Sequence, residues 1–268
     1  MSILFSGDFH GGIEGELSSI TKKTLIKKYG RGKFERIKYQ IILGDGAFMW
    51  PGNEKTDKFN YQNLALRPFP ILCVFGNHEP IYGMKYKTEV DIDIGETVYQ
   101  IWDKPFIAYL KRGKVYTIDG FKILVLGGAS SIDKNRRVPG LSWWPEENWS
   151  ENEKREVFEL LRTEYSFDCV LSHTGPDHVN HLLFEYRGSG HSNKFRDEVA
   201  LLNDEIHKRT KFKEWWCGHW HRDTHHYNIE NKCRYHYLYR KTKILDRVDN
   251  EMVVHDEYDI SEFYQGGE

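Results

Sequence analysis

Five short polar motifs constrain this 268-residue chain more than any other feature. They are Gly7-Asp8-Phe9-His10-Gly11, Gly44-Asp45-Gly46, Gly76-Asn77-His78-Glu79, a lone Ser172-His173, and Gly218-His219-Trp220-His221. Most follow an apolar run that reads as a strand: Ile3-Leu4-Phe5, Ile41-Ile42-Leu43, the run from Ile71 to Phe75, and Cys169-Val170-Leu171. Continuous apolar runs bounded by glycine suit strands buried on both faces. Open α/β sheets bind ligands outside the carboxyl ends of such strands, where Asp8, Asp45 and Asn77 fall. The repeated order of strand, polar loop and helix therefore predicts an α/β fold with its chemistry at the strand ends.

The residue types in the motifs predict metal binding. Asp8, His10, Asp45, Asn77, His173, His219 and His221 offer carboxylate, amide and imidazole donors, and His78 is left over. Residues two apart in extended chain point the same way, so Asp8 and His10 suit one ion, and His219-x-His221 repeats that spacing. Asp45 has two oxygens and suits a bridge between two cations. Hard and borderline donors of this kind fit a pair of divalent ions with positions left for water and substrate, not a closed structural zinc site. Two close cations clamp the attacking and leaving oxygens of an in-line displacement at phosphorus. A single Asp-x-His or a lone histidine is usually structural; five such blocks after strands are not a coincidence of that kind.

Composition narrows the setting. The motifs run from residue 8 to residue 221, so dividing the chain would divide the site, and a single domain is expected. A net charge of −2 gives no basic footprint of a dedicated nucleic-acid binder. Cys73, Cys169, Cys217 and Cys233 form no CxxC pair and read as buried reduced thiols. No run approaches membrane length, and the N-terminus enters the first strand directly, so a cytoplasmic location without a membrane partner is expected.

Helices are expected over residues 14–29, from Ser150 to about Tyr165 behind a Ser150/Glu153 capping box, and along Phe195, Val199, Leu202 and Ile206. Further strands are expected over residues 106–126, near Glu214 to Cys217, and across Thr224 to Tyr239. Residues 80–105 lose their periodicity and read as an inserted loop, a wall or lid over the site. The metal-binding domain is placed at 1–240, with 241–268 as an edge strand and tail of the same domain.

In order and spacing the five blocks resemble the calcineurin-like metallophosphoesterase superfamily, in its bacterial and phage-type form, with D-x-H, G-D, G-N-H-E/D, H and G-H-x-H blocks. The resemblance covers residues 8–221. It implies a four-layer α/β/β/α sandwich with two mixed sheets and the metal site at the carboxyl ends of the strands. Carried across residue by residue, it implies a first metal on Asp8, His10, Asp45 and His221, and a second on Asp45, Asn77, His173 and His219. It also implies a metal-bridging hydroxide as nucleophile and His78 as the general acid that protonates the leaving oxygen. Manganese is the expected cofactor ion, with iron, zinc, nickel and magnesium as alternatives.

One block departs from the resemblance. Protein phosphatases of this superfamily read G-D-x-x-D-R-G, whereas here Phe48 replaces the second Asp and Met49 replaces the phosphate-gripping Arg. The loop from Gly127 to Arg137 resembles a G-G-A-x-S-x-D-K block, and Lys134, Arg136 and Arg137 are candidate substrate cations, the alternative being a solvated basic turn in which Asp133 pairs locally. Trp143, Trp144 and Trp149 follow it as a base-stacking platform or a satellite core. The expected activity is hydrolysis of a phosphodiester of the small-nucleotide or nucleic-acid type. A serine/threonine protein phosphatase and a non-catalytic scaffold are the alternatives. Nucleic acid enters only as substrate, and the oligomeric state is left open.

Overall fold

The computed structural model describes residues 2–10, 20–49, 54–80, 88–184 and 197–259. In chain order its elements are β1 (Ser2–Ser6), α1 (Lys22–Tyr29), α2 (Arg31–Arg36), β2 (Ile37–Ile42), α3 (Glu54–Leu64), β3 (Ile71–Cys73), β4 (Thr88–Val90), β5 (Val98–Trp102), β6 (Ile107–Leu110), β7 (Lys114–Ile118) and β8 (Phe121–Val125). Then come α4 (Glu151–Thr163), β9 (Cys169–Leu171), α5 (Asp177–Phe184), α6 (Glu198–His207), β10 (Glu214–Cys217), β11 (Thr224–Asn228), β12 (Cys233–Tyr237), β13 (Lys241–Val248) and β14 (Glu251–Asp259). They form an eight-stranded sheet in the order β14-β13-β1-β2-β3-β6-β5-β4 and a six-stranded sheet in the order β11-β12-β10-β9-β8-β7. Both sheets are mixed. Strands β1, β2, β3 and β6 run parallel in the first, and β8, β9, β10 and β12 in the second.

Alternation along the strands sorts side chains into layers. Ile3 and Phe5 enter the cluster between the sheets, and Leu4 enters the cluster on the helical face of the first sheet with Leu25 and Leu64. Cys169 and Leu171 likewise face inward, while Val170 packs with Val157 and Ile206 on the outer face of the second sheet. Two sheets face to face with helices outside give the four-layer α/β sandwich. The apolar runs are uninterrupted because both faces of the central strands are covered.

Across the inner cluster, Phe5 of β1 stacks on Trp216 of β10 with ring centroids 4.3 Å apart, and Trp216 stacks on His236 at 4.0 Å. Below them a buried polar chain joins the sheets. Lys243 Nζ lies 3.2 Å from His236 Nδ1, and His236 Nε2 lies 2.7 Å from Glu214 Oε2. Burial and the Lys243 charge hold the His236 pKa well below its ordinary value, so the ring accepts from lysine and donates to glutamate.

The Ser150/Glu153 capping box forms as expected, with Ser150 Oγ accepting from the Glu153 N–H and the Glu153 carboxylate accepting from the Ser150 N–H. The helix expected over 14–29 is described only from Lys22, and residues 11–19, with Gly11 and Leu17, lie outside the described residues. Helices α2, α3 and α5 add to the expected set. The first is only six residues long, the second has few apolar residues, and the third is only eight residues long, so none shows a clear helical period. In the stretch 80–105, expected as a loop, the described residues carry β4 and β5, which extend the first sheet. Asp93 and Gly95 turn at positive φ between two short runs of β-branched and aromatic residues, and such short runs show too little alternation to be recognised. Over residues 241–259 the chain forms a hairpin: β13 pairs with β1 and β14, and β14 takes the edge, while residues 260–268 lie outside the described residues. The four cysteines are free and buried. Among the described residues no helix is long and apolar enough to cross a membrane.

Candidate metal centre

The motif residues follow three parallel strands of the first sheet and two of the second. Asp8 follows β1, Asp45 follows β2, Asn77 follows β3, His173 follows β9 and His219 follows β10. Backbone hydrogen bonds stitch these loops together: His10 N–H donates to Asp45 O at 2.7 Å, and Gly218 N–H donates to His173 O at 3.0 Å. His10, Asp45, His219 and His221 all adopt left-handed backbone, with φ of 47°, 50°, 67° and 49°. Asp and His tolerate that region better than most residues, yet each costs on the order of 1–2 kcal/mol. The surrounding packing holds the strain, as it does at many functional sites.

The side chains converge in overlapping groups, one of which, His10, Asp45 and His78, shares members with the two described next. Asp8, His10 and His221 form one: His10 Nε2 lies 2.9 Å from Asp8 Oδ1, His221 Nε2 3.3 Å from Asp8 Oδ2, and the two Nε2 atoms 2.8 Å apart. Asp8, Asp45 and His173 form the other, extended by Asn77 and His219. Here His173 Nε2 lies 3.3 Å from Asp45 Oδ2, 3.1 Å from Asn77 Oδ1 and 3.3 Å from His219 Nδ1. Asp45 Oδ2 is also 3.8 Å from His10 Nε2, so this carboxylate stands between the two groups. Divalent-ion bonds of about 2.0–2.2 Å bring neighbouring donor atoms to roughly 3 Å, and the observed separations match that spacing. Both Asp8 oxygens are buried without an aligned hydrogen bond. The donor set fits divalent cations.

Electrostatics agree. Burial works to raise the Asp8 carboxyl, but His10 and His221 hold it down at about 2. Burial opposes a proton on His173, and Asp45 with Asp8 overcomes it, raising that group to about 10. Asp45 is held far below the usual carboxylate range, His173 outweighing the effect of burial. The field thus stabilises positive charge at the point where the ring nitrogens meet. His173 Nδ1 donates to the Leu43 carbonyl at 2.8 Å, which turns Nε2 inward as the nitrogen where a cation would replace the proton.

Two glycines make the crowding possible. A Cβ at Gly44, which has φ of 90°, would run into the His173 ring, and one at Gly76 would strike the Asp45 carboxylate. Glu79, fully buried, accepts from Gly46 N–H at 2.8 Å and from the Tyr109 hydroxyl at 2.7 Å, pinning the loop that carries Asp45. Burial and the Asp45 charge push its carboxyl up to about 8.

His78 hangs over the same site. Its N–H donates to Asp45 Oδ1 at 2.7 Å, and its ring meets the His10 ring edge-on at 4.9 Å. Of the three candidate substrate cations, Arg137 reaches this histidine, whereas Lys134 and Arg136 are exposed on the adjoining 3-10 turn. Asp133 pairs with Arg137 Nε at 2.8 Å, so the local pairing and the approach to the site occur together. Phe48 is fully buried and Met49 packs against the same apolar cluster. Trp144 and Trp149 are core residues, the Trp149 indole N–H donating to Gly127 O. His225 and His226 lie on β11, and His191 lies outside the described residues.

Ser131, Glu147, Glu79 and Tyr109 support the site, and the motifs alone give them no role. Ser131 and Glu79 lie inside the motifs, but Tyr109 and Glu147 come from distant strands and turns with no local signal.

Comparison with curated protein sequences found no match. One solved structure aligns with a TM-score of 0.50 at 11% identity, over 95% of this chain and 98% of that chain. A chain described as a putative 5'-nucleotidase from Staphylococcus aureus aligns with a TM-score of 0.48 at 13% identity, over 95% of this chain and 52% of that chain. The phosphopantetheinyl hydrolase of Mycobacterium tuberculosis aligns with a TM-score of 0.43 at 14% identity, over 89% of each chain. The family model for calcineurin-like phosphoesterases matches residues 1–223, and the chain belongs to that family of metal-dependent phosphoesterases.

Proposed function

We propose that this protein is a dinuclear phosphodiesterase acting on a small nucleotide or nucleic-acid-type substrate. Asp8, His10, Asp45 and His221 would hold one cation, and Asp45, Asn77, His173 and His219 the other. The observation that carries this reading is the place of Asp45, whose Oδ2 lies 3.8 Å from His10 and 3.3 Å from His173 and so serves both groups. When bound, two divalent ions would supply a nucleophile from water near neutral pH and neutralise charge on the phosphoryl oxygens. Manganese is the proposed ion.

His78 would give its proton to the leaving oxygen. Its backbone N–H is tied to Asp45, which fixes the ring's distance from the centre. Arg137 would grip a phosphoryl oxygen through its planar fork, taking the part that Met49 leaves unfilled in the second block. The half-buried rings of Tyr239, stacked on His221 at 4.7 Å, and Trp220, stacked on Phe184 at 4.6 Å, support a flat leaving group. Arg240 lies over Tyr239, and Arg222 over Phe184.

The test is manganese-dependent turnover of matched chromogenic mono- and diesters by the unaltered protein, Asn77→Ala and His78→Ala. Diester turnover abolished in Asn77→Ala supports the proposal. Preference for the monoester would replace it with a phosphatase reading, turnover of neither by protein holding two ions would point to a narrower substrate, and absence of bound metal would overturn the proposal.

A further inference from the structure

The Asn77 amide has an oxygen end and a nitrogen end of nearly the same shape. Only the oxygen suits a cation; the NH2 end would aim N–H dipoles at it. Asn77 Oδ1 lies 3.1 Å from His173 Nε2, and Nδ2 lies 3.0 Å from Ser131 Oγ. Ser131 Oγ is in turn 2.6 Å from Glu147 Oε2, and the Ser131 backbone N–H donates to Glu147 Oε1 at 2.8 Å. All three residues are buried, Glu147 completely.

This chain of contacts has a direction. A carboxylate only accepts, so the Ser131 hydroxyl proton goes to Glu147. Ser131 Oγ then has only lone pairs to offer Asn77, and the partner must be the amide N–H. The amide oxygen is left facing His173. Burial pushes the Glu147 pKa up, while the two Ser131 hydrogen bonds oppose that and favour the acceptor-only form.

Glu147 is itself firmly placed. It closes a 3-10 turn, Pro145–Glu147, behind Trp144. Arg112 donates to the Glu146 carbonyl at 2.9 Å and to the Asn148 carbonyl at 3.0 Å, holding the turn on both sides. A fully buried carboxylate fixed in this way costs desolvation, and its hydrogen-bonded partners in the loop lead to one side chain of the metal centre.

We propose that Glu147 and Ser131 are positioning residues, which orient the Asn77 amide so that its oxygen serves the metal centre. The proposal rests on the dinuclear reading given above. Glu147→Gln keeps the shape but puts an N–H where Ser131 now donates, so the chain of hydrogen bonds can reverse and the amide can turn over. Ser131→Ala removes the link, and Ser131→Thr keeps the hydroxyl.

Equilibrium dialysis against Mn2+ with elemental analysis decides the matter without reference to activity. The unaltered protein and Ser131→Thr should bind two ions. Glu147→Gln and Ser131→Ala should keep one site and bind the other about 10–100-fold more weakly. The melting temperature of chelator-treated Ser131→Ala should stay near that of the unaltered protein. Two ions bound at unaltered affinity in both variants would overturn the relay alone. So would equal weakening at both sites together with a lowered chelator-treated melting temperature, which marks a purely structural role. Absence of binding by the unaltered protein would overturn the centre, and the relay with it. If Glu147→Gln does not fold, the serine pair still decides.

Discussion

Arg137 lies against His78, with Nη1 2.8 Å from Nδ1 and Nη2 3.0 Å from Nε2. The two imidazole nitrogens point apart in the ring plane, so this paired contact places the guanidinium across the ring and not at one nitrogen. Asp133 holds its Nε, and Nη1 also reaches the Ser142 carbonyl at 3.3 Å. A planar cation is thereby fixed beside the metal centre. Arg137→Ala should lower kcat/KM for a phosphoester by about 100-fold, as loss of one preorganised donor does. Arg137→Lys should recover little of it, because an ammonium cannot reproduce the fork. Metal content should not change. Steady-state kinetics with elemental analysis checks this, and unaltered turnover in Arg137→Ala would reduce the residue to a brace for the loop.

A general acid matters most when the leaving group is a poor one. His78→Ala should therefore lose about 10²–10⁴-fold with alkyl or nucleoside leaving groups, and much less with p-nitrophenolate. A leaving-group series measured on both proteins gives the comparison. A uniform loss across the series would assign His78 to positioning and not to proton transfer.

Gly44 has no room for a side chain, since a Cβ there would enter the His173 ring. Gly44→Ala should displace that ring and weaken ion binding. Thermal melts with and without Mn2+ report it. Ligand at a hundred times its Kd adds about 2.7 kcal/mol to stability, so the unaltered protein should show a clear upward shift. An equal shift in Gly44→Ala would mean that His173 holds no ion.

Acid should destabilise the fold through His207. Burial and the nearby His178 hold its pKa down at about 4, and its Nε2 accepts from the Tyr235 hydroxyl at 2.6 Å. An unfolded histidine titrates near 6.5, so unfolding takes up a proton between those values. The stabilising contribution is complete above about pH 6.5 and is lost as pH falls toward 4. Urea midpoints of chelator-treated protein from about pH 7.5 to about 4.5, the range in which most of that proton is taken up, should fall more steeply for the unaltered chain than for His207→Gln. The other titrating groups are common to both proteins and cancel in the comparison. Parallel profiles would contradict the assignment.

Much of the metal centre is legible in the chain itself. Asp8, Asp45, Asn77, His173 and His219 each follow a short apolar run, and such runs announce both the strand and the loop where it ends. Local chemistry also marks the capping box at Ser150. Other elements carry weak local signals: α3 is polar, and β4 and β5 are short. Arg137 is one of three cations in one loop, and only folding turns it toward His78 while leaving Lys134 and Arg136 exposed.

The sequence by itself determined which donors exist, their order, and the strand ends at which they stand, because continuous apolar runs and glycine placement are properties of neighbouring residues. Only the tertiary structure decided which nitrogen of His173 faces inward, that Asp45 stands between two groups, and that Glu147 is joined to Asn77 through Ser131. Those relationships join residues that lie far apart along the chain. They depend on how two sheets stack and on which buried donors are left to pair, and no local pattern encodes that.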